Sequence, residues 1–242
     1  MSLPNRVMIV IGGSRGIGAA VSRMAAARGW TVLLSYATGA DDAAGVVAGI
    51  AADGGTAHAQ PCDATAEGDV AALFVRAAEL GGPHAVVYST GITGDASTLA
   101  EASAATLRRV IDVNLTGALL CAREAARTME HPGCSITLIS SRASQRGSAG
   151  EYVWYAASKG GLDSLCIGLS RELAGRNIRV NCVSPGPVAT AMLSPERQAQ
   201  GAAAVPMQRV ADPAEVAEAV LFLASDAASY ITGANLAVAG GA

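Results

Sequence analysis

The stretch VMIVIGGSRGIGAAVSRMAAA, Val7 to Ala27, decides how this chain folds. Its first five residues are apolar without alternation, which suits a strand buried on both faces. Gly12, Gly16 and Gly18 then punctuate a turn, and an Ala-rich amphipathic segment follows. The turn has two readings. As Gly12-x-Ser14-x-Gly16 it has the spacing of a nucleophile elbow, with Ser14 as the nucleophile of a serine hydrolase. As Gly12-x-x-x-Gly16-x-Gly18 it lets the backbone approach a pyrophosphate at a helix N-terminus, with Ser14 as a hydroxyl donor. A hydrolase elbow sits deeper in its sheet, with an acid and then a His downstream. Here the turn follows the first strand, and His58, His84 and His131 all precede the final third of the chain. The phosphate reading is preferred, and the hydrolase is the remote alternative.

The same alternation of short apolar runs and longer amphipathic segments continues. Strands are predicted at 7–11, 31–36, 56–60, 84–89, 135–140, 178–183 and 235–239, and helices near 17–28, 40–52, 67–80, 103–129, 152–174 and 213–224. Such alternation implies right-handed βαβ units and a doubly wound, parallel, seven-stranded α/β sheet with helices on both faces. No repeat or linker divides residues 1–242, so one domain is expected. The segment 187–211 breaks the alternation after a strand and is expected to be a substrate loop or lid. Asp212-Pro213-Ala214-Glu215 carries the signals of the helix start that follows it.

Composition removes several classes of function. The 242 residues are 51% hydrophobic and 15% charged, which describes a globular chain with a large core. The net charge is −3 and no Lys/Arg cluster occurs, so neither a nucleic-acid nor an anionic-membrane partner has electrostatic support. Five cysteines without a CxxC suit reduced, buried thiols rather than a disulfide framework or a metal site. The leader MSLPNR is followed by too short an apolar run for a signal peptide, and no run reaches the ~18 apolar residues of a membrane span. A cytoplasmic protein without a metal is expected.

Chemistry enters with YVWYAASKGGLDSL, residues 152–165. Tyr155 and Lys159 stand four apart on a predicted helix and share a face. An isolated phenol has a pKa of ~10 and is a poor acid or base at neutral pH. A nearby ammonium favours the phenolate. Lowering the pKa by about 3 units takes ~4 kcal/mol of differential stabilisation, which an ammonium, a cofactor's positive ring and a low dielectric would supply together. Such a Tyr is suited to proton exchange with a carbonyl oxygen.

The glycine turn and the Tyr-x-x-x-Lys pair together resemble the single-domain branch of the short-chain dehydrogenases/reductases, over essentially the whole chain. That resemblance implies a Rossmann fold and four catalytic residues: Tyr155 as acid/base, Lys159 to lower its pKa and hold the nicotinamide ribose, Ser141 to bind the substrate oxygen, and Asn114. In the family this Asn opens a helix backbone to a water that relays protons to the Lys. Ser141 is one residue further from Tyr155 than the commonest family spacing, and Ser140 and Ser144 are alternatives. The resemblance also implies a cofactor site of Gly12, Ser14, Arg15, Gly16, Ile17, Gly18, Ser35, Tyr36, Asp63, Ala64, Ser89, Gly91, Tyr155, Lys159, Pro185, Gly186, Val188 and Thr190. Tyr88-Ser89-Thr90-Gly91 departs from the family's usual Asn-Asn-Ala-Gly. The end of the second predicted strand carries no acid, and Arg15 matches the family's basic residue favouring NADP, so NADP(H) is expected over NAD(H). The expected reaction is hydride transfer between NADP(H) and a small carbonyl or alcohol substrate, in a homotetramer or homodimer. The sequence looks nearest to bacterial glucose 1-dehydrogenase-like or 3-oxoacyl-carrier-protein reductase-like members. An NADP(H)-binding regulator without turnover is the alternative.

Overall fold

A computed structural model describes residues 6–242. β1 (Val7–Ile11) is fully buried. It lies between β2 (Thr31–Tyr36) and β4 (Pro83–Tyr88), and all three run parallel. With β3 (Thr56–Pro61), β5 (Ser135–Ile139), β6 (Arg179–Pro185) and β7 (Asn235–Val238), seven strands among the described residues form one parallel sheet. Their order is β3-β2-β1-β4-β5-β6-β7. The order reverses between β1 and β4, and the crevice beyond the carboxyl ends at such a switch point is where open α/β sheets bind ligands.

The period-two pleat of β1 builds both cores. Val7, Ile9 and Ile11 point into one, packed on α3 (Glu67–Glu79), α5 (Gly117–Thr128) and α7 (Val153–Leu173). Met8 and Val10 point into the other, packed on α1 (Gly16–Ala27), α2 (Ala40–Ala52) and α9 (Pro213–Ala224). Burial on both faces explains why these strands read as unbroken apolar runs. β3 is the exception. As an edge strand it is largely exposed or half-buried, and its sequence TAHAQP is correspondingly polar.

Three segments differ from expectation. The helix expected over 103–129 is α4 (Ala104–Ile111), then a π turn (Asp112–Thr116), then α5. The segment 187–211 is not a bare loop, because it contains α8 (Pro195–Ala204), started by Ser194 accepting from the Arg197 amide. A short α6 (Ala143–Arg146) also stands between β5 and α7. At 212–215 the expected capping box forms. Among the described residues, no helix is long and apolar enough to cross a membrane.

Candidate active site

The glycine turn joins the carboxyl end of β1 to α1. Gly18 is held there by space: a Cβ on it would stand 2.0 Å from the Gly12 carbonyl oxygen. α1 can therefore press against the turn only without that side chain. Arg15 precedes α1 in extended conformation, and no side chain caps the helix and no acid lies in its first turn. Its free N–H groups and positive dipole end are left for an anion. Ser14 is buried beside them, and Ile17 is half-buried.

Other expected cofactor residues gather at the same edge. The Gly13 amide donates to the Ser35 carbonyl at 3.0 Å, and the Ser89 amide donates to the Ile11 carbonyl at 2.9 Å. The Ser35 and Ser89 hydroxyls are buried with no partner among the described residues. Arg15 is exposed at the end of β2, where its Nη2 donates to Thr38 Oγ1 at 3.2 Å and its Nε lies 3.7 Å from Asp42 Oδ2. Tyr36 is half-buried beside this loop, and Ala64 is buried. Asp63 is engaged as a turn residue: its Oδ1 accepts from the Thr65 amide at 2.9 Å and hydroxyl at 2.7 Å, which lowers its pKa. Thr190 faces Gly16, whose Cβ would lie 3.2 Å from its methyl group. Pro185 closes β6, the Gly186 amide donates to the Val238 carbonyl at 3.0 Å, and buried Val188 bridges to Ala211. An uncapped helix start, a glycine approach and orphaned hydroxyls fit a dinucleotide.

The four expected catalytic residues converge beside this crevice. Lys159 is buried, and its Nζ donates to the Ile139 carbonyl at 2.8 Å and lies 5.7 Å from the Tyr155 ring centroid. Ser141 Oγ accepts from the Ala143 amide at 3.1 Å, and its hydroxyl acts on the Tyr155 phenol in the direction that lowers the phenol's pKa. The adjacent Ser140 turns away, donating to Asp163 Oδ1 at 2.6 Å and to the Lys159 carbonyl at 3.2 Å. The Ser144 hydroxyl donates to the Ser141 carbonyl at 2.8 Å. Asn114 is fully buried in the π turn. Its Oδ1 accepts from the Ile92 amide at 2.8 Å, and its Nδ2 donates to the Ile92 carbonyl at 2.9 Å and to Ser158 Oγ at 3.0 Å. A Cβ on Gly91 would sit 3.2 Å from Lys159 Nζ and 3.4 Å from Asn114 Oδ1, so these groups meet across the glycine.

The expected lowering of the Tyr155 pKa calls on a cofactor's positive ring as well as Lys159; in the protein alone, desolvation prevails. Burial raises the Tyr155 pKa, and the Ser141 hydroxyl is the group that opposes the rise. Burial pushes Lys159 down to about 8, against the opposing charge of the Asp163 carboxylate. Each group is disfavoured in its charged form because desolvation outweighs what opposes it.

The family model described as enoyl-(acyl carrier protein) reductase matches residues 11–242. A solved short-chain dehydrogenase/reductase from Serratia marcescens BCRC 10948 superposes with a TM-score of 0.94 at 33% identity, covering 100% of this chain and 99% of that one. The chain belongs to the short-chain dehydrogenase/reductase family. It is 41% identical to the uncharacterized oxidoreductase YgfF of Escherichia coli K12, over 97% of this chain and 99% of that protein. It is also 41% identical to the cis-4-hydroxycyclohexanecarboxylate dehydrogenase of Sinomonas cyclohexanicum, over 98% of this chain and 96% of that one. Membership makes it an oxidoreductase and implies a nicotinamide cofactor.

Within this short-chain dehydrogenase/reductase, the histidines give a Ser14 nucleophile no support. His84 accepts from the Val7 amide, at the far end of β1 from the turn, and stacks on His131 at 4.4 Å. His58 pairs with Leu33 on the edge strand. Sequence reasoning missed Ser158, Asp163 and the Tyr88 hydroxyl. Ser158 immediately precedes Lys159, and Tyr88 stands where the family's usual Asn is absent, so both carried a signal. Asp163 carried none, since its partners Ser140 and Asn235 are remote in sequence.

Proposed function

We propose that the protein is an NADP(H)-dependent oxidoreductase that moves a hydride between the nicotinamide and a carbonyl or secondary alcohol, with Tyr155 as general acid/base. The observation that carries this reading is the buried Lys159 ammonium 5.7 Å from the Tyr155 ring centroid, with Asn114 meeting it across Gly91. The reduced nicotinamide supplies a hydride from its C4 when bound. Ser141 donates to the substrate oxygen and orients it. Tyr155 gives that oxygen its proton as the carbonyl becomes an alcohol. A phenol whose pKa is raised by burial is protonated at neutral pH, the state a reduction needs. Lys159 stabilises the phenolate left behind, and the Asn114 side leads a proton back to it. Gly12, Ser14, Gly16, Ile17 and Gly18 hold the pyrophosphate. Ser35, Tyr36, Asp63 and Ala64 flank the adenosine, and Ser89, Gly91, Pro185, Gly186, Val188 and Thr190 flank the nicotinamide half.

NADP(H) over NAD(H) is supported by Arg15 at the end of β2 and by Ser35-Tyr36-Ala37, which puts no acid there. A charge-assisted bond to the 2′-phosphate is worth roughly 1.5–3 kcal/mol. Segment 187–211 is proposed as the lid of this one-domain enzyme. Its Arg197 stands 5.1 Å over the Tyr152 ring and 3.6 Å from Glu151, beside the start of α7. Met192 and Met207 give it exposed apolar surface, which suits an apolar carbonyl substrate. A cytoplasmic homotetramer or homodimer completes the reading. The five free, buried cysteines suit a reducing compartment, and a light-scattering mass near one subunit would contradict the assembly.

The test is NADPH oxidation across β-ketoacyl thioesters, aliphatic, cyclic and aromatic ketones, with NADH in parallel and sugars with NADP+ in the reverse direction. Turnover that prefers NADPH is expected. NADPH binding without turnover on any member would instead identify a cofactor-binding regulator.

A further inference from the structure

Tyr88, the last residue of β4, is a fully buried phenol that the proposed chemistry does not use. Its hydroxyl donates to the carbonyl of Val113 at 2.5 Å. Val113 lies in the π turn Asp112–Thr116, and the residue after it is Asn114. In that turn the Gly117 amide reaches back five residues to the Asp112 carbonyl. Such a shift disturbs the regular helical bonding pattern, and the Val113 carbonyl receives a side-chain donor from the neighbouring strand.

Gly117 makes this contact possible. Its φ is an ordinary helical −60°, so no unusual conformation demands glycine there. A Cβ at that position would stand 2.5 Å from the Tyr88 hydroxyl oxygen, so the glycine leaves room for the phenol. Burial holds the Tyr88 pKa well above its ordinary value, beside Cys121, Cys62 and Asp63, so the phenol remains a donor at neutral pH. On the other side of the turn, Asn114 spends its amide on Ile92 and Ser158.

We propose that Tyr88 is a positioning residue for Asn114: through the space left by Gly117, its hydroxyl pins the Val113 carbonyl and fixes the π turn that presents Asn114 to Lys159. The catalytic part of this inference rests on the function proposed above. It also accounts for the aromatic residue at the head of Tyr88-Ser89-Thr90-Gly91, because a shorter amide would not span from β4 to the π turn in the same way.

The test uses the full chain and Tyr88→Phe, which keeps the ring and removes the donor. Amide hydrogen exchange over residues 112–118 should rise about fivefold, the worth of one net hydrogen bond, with the strands unchanged. In steady-state reduction, kcat should fall by a similar factor of about five with the KM for NADPH unchanged. In an Asn114→Ala background the same substitution should lower kcat no further, because Tyr88 acts through Asn114. If Tyr88→Phe does not fold, Gly117→Ala pushes the hydroxyl from its seat and should give the same localised exchange. Unchanged exchange over 112–118 would overturn the inference, as would a kcat loss that recurs in full in the Asn114→Ala background. An intact chain that binds NADPH but turns over no carbonyl would defeat the proposed function instead, and the exchange measurement would still decide whether Tyr88 fixes the turn.

Discussion

The Lys159 ammonium donates to the carbonyl oxygen of Ile139, the last residue of β5, at 2.8 Å. A neutral acceptor fixes the ammonium in place without neutralising it. Burial lowers its pKa to about 8, so it is charged below that pH and neutral above it. The phenol it supports has a raised pKa and stays protonated through the same range. Carbonyl reduction should therefore be fastest below pH 8 and decline above it as Lys159 loses its proton. Alcohol oxidation, which needs the phenolate, should gain from rising pH. Initial rates in both directions from pH 6 to 10 check this, and a reduction rate that climbs through pH 8 would contradict it.

Ser140 and Ser141 should separate stability from rate. Ser141→Ala removes the hydroxyl facing Tyr155 and should lower kcat by about 10²-fold, as loss of an oxyanion donor does, with little change in melting temperature. Ser140→Ala removes a 2.6 Å donor to the Asp163 carboxylate. It should cost about 1.5–3 kcal/mol, a drop of roughly 3–12 °C, with a smaller effect on kcat. Thermal melts and steady-state rates on both variants decide the assignment, and the reverse pattern would exchange the two roles.

Arg15 and Asp42 should move cofactor preference in opposite directions. Arg15→Ala should weaken NADPH by about ten- to a hundredfold and leave NADH nearly untouched. The Asp42 carboxylate, 3.7 Å from the guanidinium, competes with a phosphate for that cation. Asp42→Ala should therefore tighten NADPH by up to about fivefold, the scale of an exposed pair. Fluorescence titration with both cofactors measures this, and an unchanged NADPH/NADH ratio in Arg15→Ala would sink the NADP assignment.

Gly18→Ala should separate α1 from the turn, since the added carbon meets the Gly12 oxygen at 2.0 Å. A stability cost of about 1–3 kcal/mol and loss of NADPH binding are expected by melting and titration. Wild-type affinity in this variant would show that the close approach is not needed.

Much of this architecture was legible in the sequence, for physical reasons. β1, β2 and β5 announce themselves as apolar runs because helices cover both faces. β3 reads weakly because an edge strand needs little apolar surface. The break in the helix over 103–129 was not legible, because a π turn alters backbone bonding without erasing apolar periodicity. α8 had its Ser194-Pro195 start, yet the Pro- and Ala-containing segment around it read as loop. Tyr155 and Lys159 were found because one helix turn separates them. The Tyr88–Val113 and Ser140–Asp163–Asn235 contacts were not, because they join residues brought together only by the sheet.

The most direct test of the central claim is the Tyr155→Phe variant, compared with the native chain in NADPH-driven reduction of the best ketone found. The variant should keep its melting temperature and its NADPH affinity while its rate falls by at least about 10²-fold. A variant that reduces the ketone at the native rate would remove Tyr155 from the chemistry and the proposed mechanism with it.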